Sequence, residues 1–97
     1  MHNEEQHLLR RFASGGDEAA FETLVNRHLG LVLGAARRQL GGDHHAAEDV
    51  AQQVFTLLAR KAGRLLDHDC LAAWLHTATR MSCQTYIRTA VRRERRG

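Results

Sequence analysis

The chain has 97 residues, of which 43% are hydrophobic, and this is enough for the core of one domain but not of two. No apolar stretch approaches the roughly 20 residues that cross a bilayer, and the acidic amino end lacks the basic start of a secretion signal. We therefore expect a single domain over residues 1–97, cytoplasmic and without a membrane partner.

The net charge of +3 is unevenly distributed along the chain, because residues 1–69 carry ten acids and eight bases whereas residues 70–97 carry one acid and six bases. Thirteen of the 14 bases are arginine, whose planar group suits phosphates and base edges, so the basic end is compatible with a polyanion partner, and an acidic protein groove is the alternative.

The composition predicts an all-α fold, because proline is absent, β-branched residues are sparse, and strong helix formers dominate. The glycine pairs at 15–16 and 41–42 run directly into Asp17 and Asp43, which are good residues for beginning a helix. We expect a compact helical bundle of three long helices plus a short N-terminal helix. The predicted helices cover residues 4–13, 17–40, 43–61 and 69 to the end, with residues 62–68 as the only substantial loop.

Each long helix has an apolar stripe with helical spacing, and together the stripes predict one core. The predicted core residues are Phe21, Leu24, Val25, Leu29, Val32, Ala36 and Leu40 in the second helix, Ala47, Val50, Val54, Leu57 and Leu58 in the third, and Leu71, Trp74, Leu75, Ala78 and Tyr86 in the fourth. The fourth helix should outlast the core, since its last residues are mostly arginine and offer no apolar face.

The third helix carries a polar stripe opposite its apolar one. Its members are His45, Asp49, Gln52, Gln53, Thr56 and Arg60. Carboxylate and amide groups at this spacing suit a partner helix that bears arginines. The pattern alone favours the simpler interpretation, an ordinary solvated helix face.

The fourth helix has a basic outer face. Its members are Thr77, Arg80, Gln84, Arg88, Val91 and Arg95. Arginines in this pattern neutralise phosphates, while glutamine and threonine reach bases or sugars. The alternative is a helix end whose cations complement the helix dipole. Such an end needs one or two cations and this helix has five arginines from Arg88 onward, so the clustering favours nucleic acid.

The loop between these helices and the start of the fourth helix contain basic, polar and aromatic residues. It holds Lys61, Arg64, His68 and Asp69, and Trp74 and His76 follow soon after. An aromatic ring beside cations can stack on an unpaired base. From the pattern alone Trp74 is more typical of a core residue and His76 of a surface residue.

Signs of catalysis are weak. His44 with Glu48 and His45 with Asp49 lie one turn apart and form at best a two-ligand metal site, so a metal-assisted hydrolase is a minor hypothesis. Cys70 at a helix start is an unsupported nucleophile, and two cysteines without close spacing are expected to be reduced thiols. Neither glycine pair has the sequence of a phosphate-binding loop. We therefore expect a protein that is not an enzyme and has no cofactor or metal.

Three sequence runs, in order, carry a resemblance. They are Asp17–Val25 (DEAAFETLV), Ala47–Phe55 (AEDVAQQVF) and Ala73–His76 (AWLH), the last followed by an arginine-rich helix. Over about residues 8–96 the chain resembles region 2 of the sigma-70 family, most like the extracytoplasmic-function (ECF) group. The resemblance implies a bacterial transcription initiation factor that binds core RNA polymerase and opens promoter DNA at the minus-ten element.

The same resemblance assigns the third helix to polymerase. It implies docking of residues 43–60 on the coiled coil of the β′ subunit, and the D-x-x-Q-[ED] pattern of the family falls on Asp49, Gln52 and Gln53, with Thr56 on the same face. Gln53 stands where an acid is usual, which leaves Asp49 as the main contact for a basic partner.

The resemblance assigns the loop and fourth helix to the melted non-template strand of the promoter. The implied DNA-binding residues are Lys61, Arg64, His68, Trp74, Thr77, Arg80, Gln84 and Arg88. Met81 and Thr85 replace the Asn and Asp of the family pattern, so the promoter preference is open. An anti-sigma factor is a further expected partner.

The chain ends at Gly97, before any second helix-turn-helix domain (region 4), so we expect an isolated region 2 domain. Two other functions stay open: an interaction module whose basic tail at residues 92–96 meets an acidic partner, and a helical protein that binds nucleic acid without sequence preference.

Overall fold

The computed structural model describes residues 3–68 and 70–96 and contains four α-helices. They are α1 (Asn3–Gly15), α2 (Glu18–Gln39), α3 (His44–Lys61) and α4 (Leu71–Arg96). No strand occurs in the described residues, so the predicted all-α bundle is confirmed. Asp69, where the sequence places the start of the fourth helix, lies outside the described residues, and α4 begins at Leu71.

The two aspartates predicted to cap helices do so. Asp17 Oδ1 accepts a hydrogen bond from the Ala20 amide, and Asp43 Oδ1 accepts one from the Ala46 amide, each at 3.1 Å. Gly41 and Gly42, just before Asp43, have φ angles of 66° and 84°, which other residues rarely adopt. The glycine pair therefore allows the sharp turn that brings α3 back along α2.

The core lies among α2, α3 and α4, which contact one another, while α1 packs on α2. Most of the predicted core residues are buried or half-buried, and α3 buries three more, Ala46, Ala51 and Phe55. On α4 the structure adds Cys83 and Thr79, whose hydroxyl donates to the Leu75 carbonyl at 2.7 Å. A polar group inside the core thus has a hydrogen-bond partner.

The prediction of the core is wrong for one residue. Leu29 is 37% exposed, and the neighbouring His28 is only 8% exposed. Four-residue steps from Leu24 lead to His28 and then to the buried Val32, so histidine occupies the inward row and Leu29 is turned away by about 100°. The His28 Nε2 atom contacts Glu5 Oε2 of α1 at 3.0 Å, which satisfies the ring nitrogen.

Ion pairs hold α1 against α2. Arg27 donates to Glu4 at 2.9 Å, and Arg11 donates to Asp17 at 2.6 Å. The hydrogen bond from Arg27 lowers the pKa of the Glu4 carboxyl, and the Ala20 amide followed by Arg11 lowers that of Asp17. Beside these pairs the Phe12 ring stacks on Phe21 of α2, with centroids 4.5 Å apart.

Residues 62–68 are not simply a loop. They begin with a 3₁₀ helix, Ala62–Leu65, which packs on α1 and α3. Ala62 and Leu65 are buried, three residues apart, as the three-residue turn of this helix requires. Sequence analysis missed this element because a single turn gives too few residues for a periodic pattern.

None of the helices in residues 3–68 and 70–96 is both long and apolar enough to cross a membrane. The end of α4 carries exposed arginines beyond the core, as the sequence predicts.

Shortening a buried side chain at the centre of the core should lower the free energy of unfolding far more than shortening the exposed side chain of Leu29. Leu58 is fully buried, so Leu58→Ala should lower the free energy of unfolding by about 2–5 kcal/mol. Leu29→Ala, the matched control, should change it by less than about 0.5 kcal/mol. Chemical denaturation followed by circular dichroism measures both values, and equal losses would contradict the packing described here.

Candidate functional site

The polar face of α3 is exposed along its whole length. Asp49, Gln52, Gln53 and Thr56, the four residues expected to bind polymerase, lie together on it. The Thr56 hydroxyl donates to the Gln52 carbonyl at 2.8 Å, so this hydroxyl is partly occupied within the helix. These four residues therefore offer one carboxylate and two amides to a partner.

Two of the grooves between α3 and α4 each contain some of the predicted site residues. The first, called here the Trp74 groove, has a volume of about 280 Å³ and is lined by Gln53, Leu57, Lys61, Trp74, Thr77, Ala78, Met81, Ser82 and Thr85. The second, the Arg93 groove, has a volume of about 450 Å³ and is lined by Asp49, Gln52, Gln53, Thr85, Tyr86, Thr89, Ala90 and Arg93. Gln53 and Thr85 lie where the two grooves meet.

The Trp74 groove brings together three residues expected to bind DNA, namely Lys61, Trp74 and Thr77. Trp74 is half-buried and packs against the core, as its pattern suggests, yet it also lines the groove. It is the only tryptophan of the chain. One ring thus serves packing and remains accessible to a ligand.

The other DNA-binding candidates of α4 lie outside both grooves. Arg80, Gln84 and Arg88 are exposed on the outer face of the helix. None of the ion pairs within residues 3–68 and 70–96 involves an arginine of α4. The positive charge of this face is therefore not neutralised within the described chain, and it can attract an anion.

The loop candidates form a third group. Arg64 is exposed on the 3₁₀ helix, and the exposed His68 is held by its backbone, whose carbonyl accepts a hydrogen bond from Gln6 Nε2 of α1 at 3.3 Å. The His68 Nδ1 atom accepts the Cys70 amide at 3.2 Å. Neither Arg64 nor His68 lines the Trp74 groove. The structure therefore does not gather all the predicted DNA-binding residues in one place.

The metal hypothesis gains no support from the geometry. His44 Nε2 lies 3.2 Å from Glu48, but His45 also points to Glu48, at 4.0 Å, and not to Asp49 as the spacing suggests. The described residues contain no group of three side chains able to hold a metal ion. His44, His45 and Glu48 are all exposed on the surface of α3.

A comparison with protein families decides what kind of domain this is. The family model of Sigma-70 region 2 matches residues 24–93, which include α3, the 3₁₀ helix and both grooves. The chain belongs to the Sigma-70 region 2 family. No match was found among curated proteins or among solved structures.

Family membership gives the broad function. This chain is a sigma factor domain of transcription initiation, in a family of transcription factor domains and not of enzymes. Sigma-70 region 2 domains bind core RNA polymerase and promoter DNA. The exposed face of α3 and the basic face of α4 are therefore surfaces of a domain with two macromolecular partners.

Sequence reasoning missed several lining residues of this sigma-70 region 2 domain. Met81 is 61% exposed in the Trp74 groove, and Tyr86, Thr89 and Arg93 line the other groove. Steps of three and four residues from Trp74 lead through Thr77 and Met81 to Thr85, so the stripe was visible in the sequence. Which side of α4 faces α3 was not visible, because it depends on the packing of distant segments.

The two thiols of the domain should react very differently. Cys70 is exposed, whereas Cys83 is fully buried and burial raises the pKa of its thiol. A colorimetric disulfide reagent at pH 8 should therefore titrate one thiol in the native protein and two in denaturant. The Cys70→Ser variant should show no fast-reacting thiol, and two fast thiols in the native wild type would contradict the burial of Cys83.

Proposed function

We propose that this chain is the region 2 domain of an ECF-type sigma factor. It docks on the coiled coil of the polymerase β′ subunit through α3 and holds the melted non-template strand of the minus-ten element along α4. The observation that carries the proposal is the junction of the two surfaces: the exposed face with Asp49 and Gln52 is continuous, through Gln53, with the groove of Trp74 and Lys61.

The polymerase side rests on charge and exposure. Asp49 is exposed and takes part in none of the ion pairs of the described residues, so its carboxylate is available to a basic partner. Gln52 and Gln53 add hydrogen-bonding groups at the spacing of the family pattern, and Thr56 lies on the same face. The replacement of an acid by Gln53 makes this contact depend more heavily on Asp49.

The DNA side rests on the Trp74 groove and the outer face of α4. Trp74 provides a ring on which an unpaired base stacks, and Lys61 at the rim of the same groove can pair with a phosphate. From Arg80 to Arg88 the helix rises roughly 12 Å, a distance over which several nucleotides of one strand fit. The groove thus holds a base and the outer face follows the backbone.

The finer points of the proposal rest on the sequence. The ECF group, a cytoplasmic location and an anti-sigma partner follow from the sequence runs that carry the resemblance. The extent of the domain over residues 1–97 is supported by the contacts of α1, which lies before the matched span and yet contributes the buried Leu9 and the Glu4–Arg27 ion pair to the bundle.

Removing the carboxylate of Asp49 should weaken polymerase binding and leave DNA binding intact. Asp49→Ala should bind a purified β′ coiled-coil fragment at least about tenfold more weakly, which corresponds to about 1.4 kcal/mol. Glu48→Ala removes the same charge from the adjacent residue and should change affinity less than about twofold. Calorimetry at two salt concentrations measures both variants against the wild type.

Two outcomes of that experiment would count against the assignment. A folded wild-type chain that does not bind the fragment would remove the polymerase role of α3. A parallel loss of single-stranded DNA binding in Asp49→Ala, with helicity intact, would show that α3 and α4 do not divide the two partners.

Arginines on the outer face of α4 should contribute to DNA affinity in a salt-dependent way. Arg80→Ala and Arg88→Ala should each weaken binding of a single-stranded minus-ten oligonucleotide and lower the slope of log K against log salt by about 0.7. Arg37→Ala, which removes an exposed arginine from the end of α2, is the matched control and should leave the slope unchanged. Fluorescence anisotropy over a series of salt concentrations measures the slopes, and equal slopes for all variants would contradict the role of this face.

A further inference from the structure

The polymerase surface of α3 does not end at α3. Three of its four assigned residues, Asp49, Gln52 and Gln53, form one wall of the Arg93 groove. The opposite wall belongs to α4 and consists of Tyr86, Thr89, Ala90 and Arg93, with Thr85 at the junction with the Trp74 groove. A partner that contacts Asp49 and Gln53 from outside therefore meets α4 as well.

We propose that α4 supplies the second half of the polymerase-docking surface, with Arg93 as its charged contact. The occupant of the Arg93 groove is a helical segment of core polymerase that carries a cation toward Asp49 and a carboxylate toward Arg93. This inference rests on the proposed polymerase role of α3, and it assigns to polymerase a part of α4 that the sequence analysis left within the basic helix.

The position of Arg93 on the helix separates it from the DNA-binding arginines. Tyr86, Thr89 and Arg93 follow one another at steps of three and four residues and so share the side of α4 that faces α3. Arg95 lies two residues further on and is turned about 200° around the helix, toward the outer face with Arg88. The arginines at the end of α4 thus belong to two different surfaces.

The charges on the two walls determine which partner fits. Asp49 and Arg93 are both exposed, and neither takes part in an ion pair of 4.0 Å or less within the described residues. Arg93 therefore forms no ion pair with Asp49 in the structure. A polyanion is repelled by Asp49 and a purely basic helix by Arg93, whereas a segment that carries both signs is attracted by both walls.

The space between the walls suits inserted side chains. Thr89 and Ala90 are small, and the half-buried Tyr86 ring packs against the core, so the groove of about 450 Å³ has a firm side and is left unfilled. A side chain of the partner that enters it gains apolar contact with Tyr86 in addition to the charge pairs. Burial of this kind, flanked by charges at the rim, is typical of protein interfaces.

The test compares two arginines at the end of α4. Arg93→Glu should weaken binding of the full chain to the β′ coiled-coil fragment at least about tenfold, and Arg93→Ala by a smaller factor, while the matched control Arg95→Ala should change it less than about twofold. Thr89→Phe, which fills the groove at an exposed position without a change of charge, should also weaken binding. Circular dichroism confirms that each variant keeps the helicity of the wild type.

The double variant Asp49→Ala with Arg93→Ala distinguishes a direct contact between Arg93 and the partner from an effect of Arg93 on Asp49. If Arg93 contacts the partner, the factors of Asp49→Ala and Arg93→Ala multiply in the double variant. An Arg93 effect that vanishes in the Asp49→Ala background would overturn the inference. Tighter binding by Arg93→Ala would also overturn it, because Arg93 would then be a counter-ion that competes with the partner for Asp49.

The remaining outcomes distinguish this inference from the proposed function. If Asp49→Ala weakens binding but Arg93→Glu and Arg95→Ala behave alike, α3 keeps its polymerase role and only the contribution of α4 is wrong. If neither Asp49→Ala nor Arg93→Glu weakens binding, or if the wild type does not bind, both the proposed polymerase surface and its extension fail.

Discussion

The burial of one side of α3 is the constraint on which the other elements depend. Seven residues of this helix are buried, and its neighbours α2, α4 and the 3₁₀ helix are held in place by contact with them. The remaining surface of α3 is mostly exposed and polar, and it includes the strip from Asp49 to Arg60. The polar groups offered to a partner and the walls of both grooves are therefore fixed by the same packing that stabilises the bundle.

The short helix α1 contacts both the helical core and the loop before α4. It lies before the matched residues 24–93, yet Leu9 joins the core and Glu4 pairs with Arg27. Gln6 donates a hydrogen bond to the His68 carbonyl, so the segment between the 3₁₀ helix and α4 is attached to α1. The loop before α4 thus takes its position in part from α1, which contributes no lining residue to either groove.

Much of the fold followed from local signals in the sequence. Glycine pairs before Asp17 and Asp43 set the helix starts, and apolar spacing identified most of the core. Leu29 was placed wrongly because hydrophobicity was weighed above position, and His28 satisfies its ring nitrogen through a contact with α1 that no local pattern reveals. The exposed faces of α3 and α4 were predictable for the same periodic reason. The two grooves in which these faces meet were not predictable from the sequence. They depend on how closely α3 and α4 pack, and the two helices are joined by a long connection.

Gln53 lies at the junction of both grooves, so its side chain forms part of the wall of each. Under the proposed division of partners, a substitution at Gln53 alters the wall that faces polymerase as well as the wall that faces DNA, so it changes the affinity for both. Thr77 lines only the Trp74 groove and Thr89 only the Arg93 groove, so a substitution at either residue changes the wall of one groove. Under the proposed function, a change of promoter choice is therefore best sought on the α4 wall near Thr77, which leaves the shared amide of Gln53 unchanged.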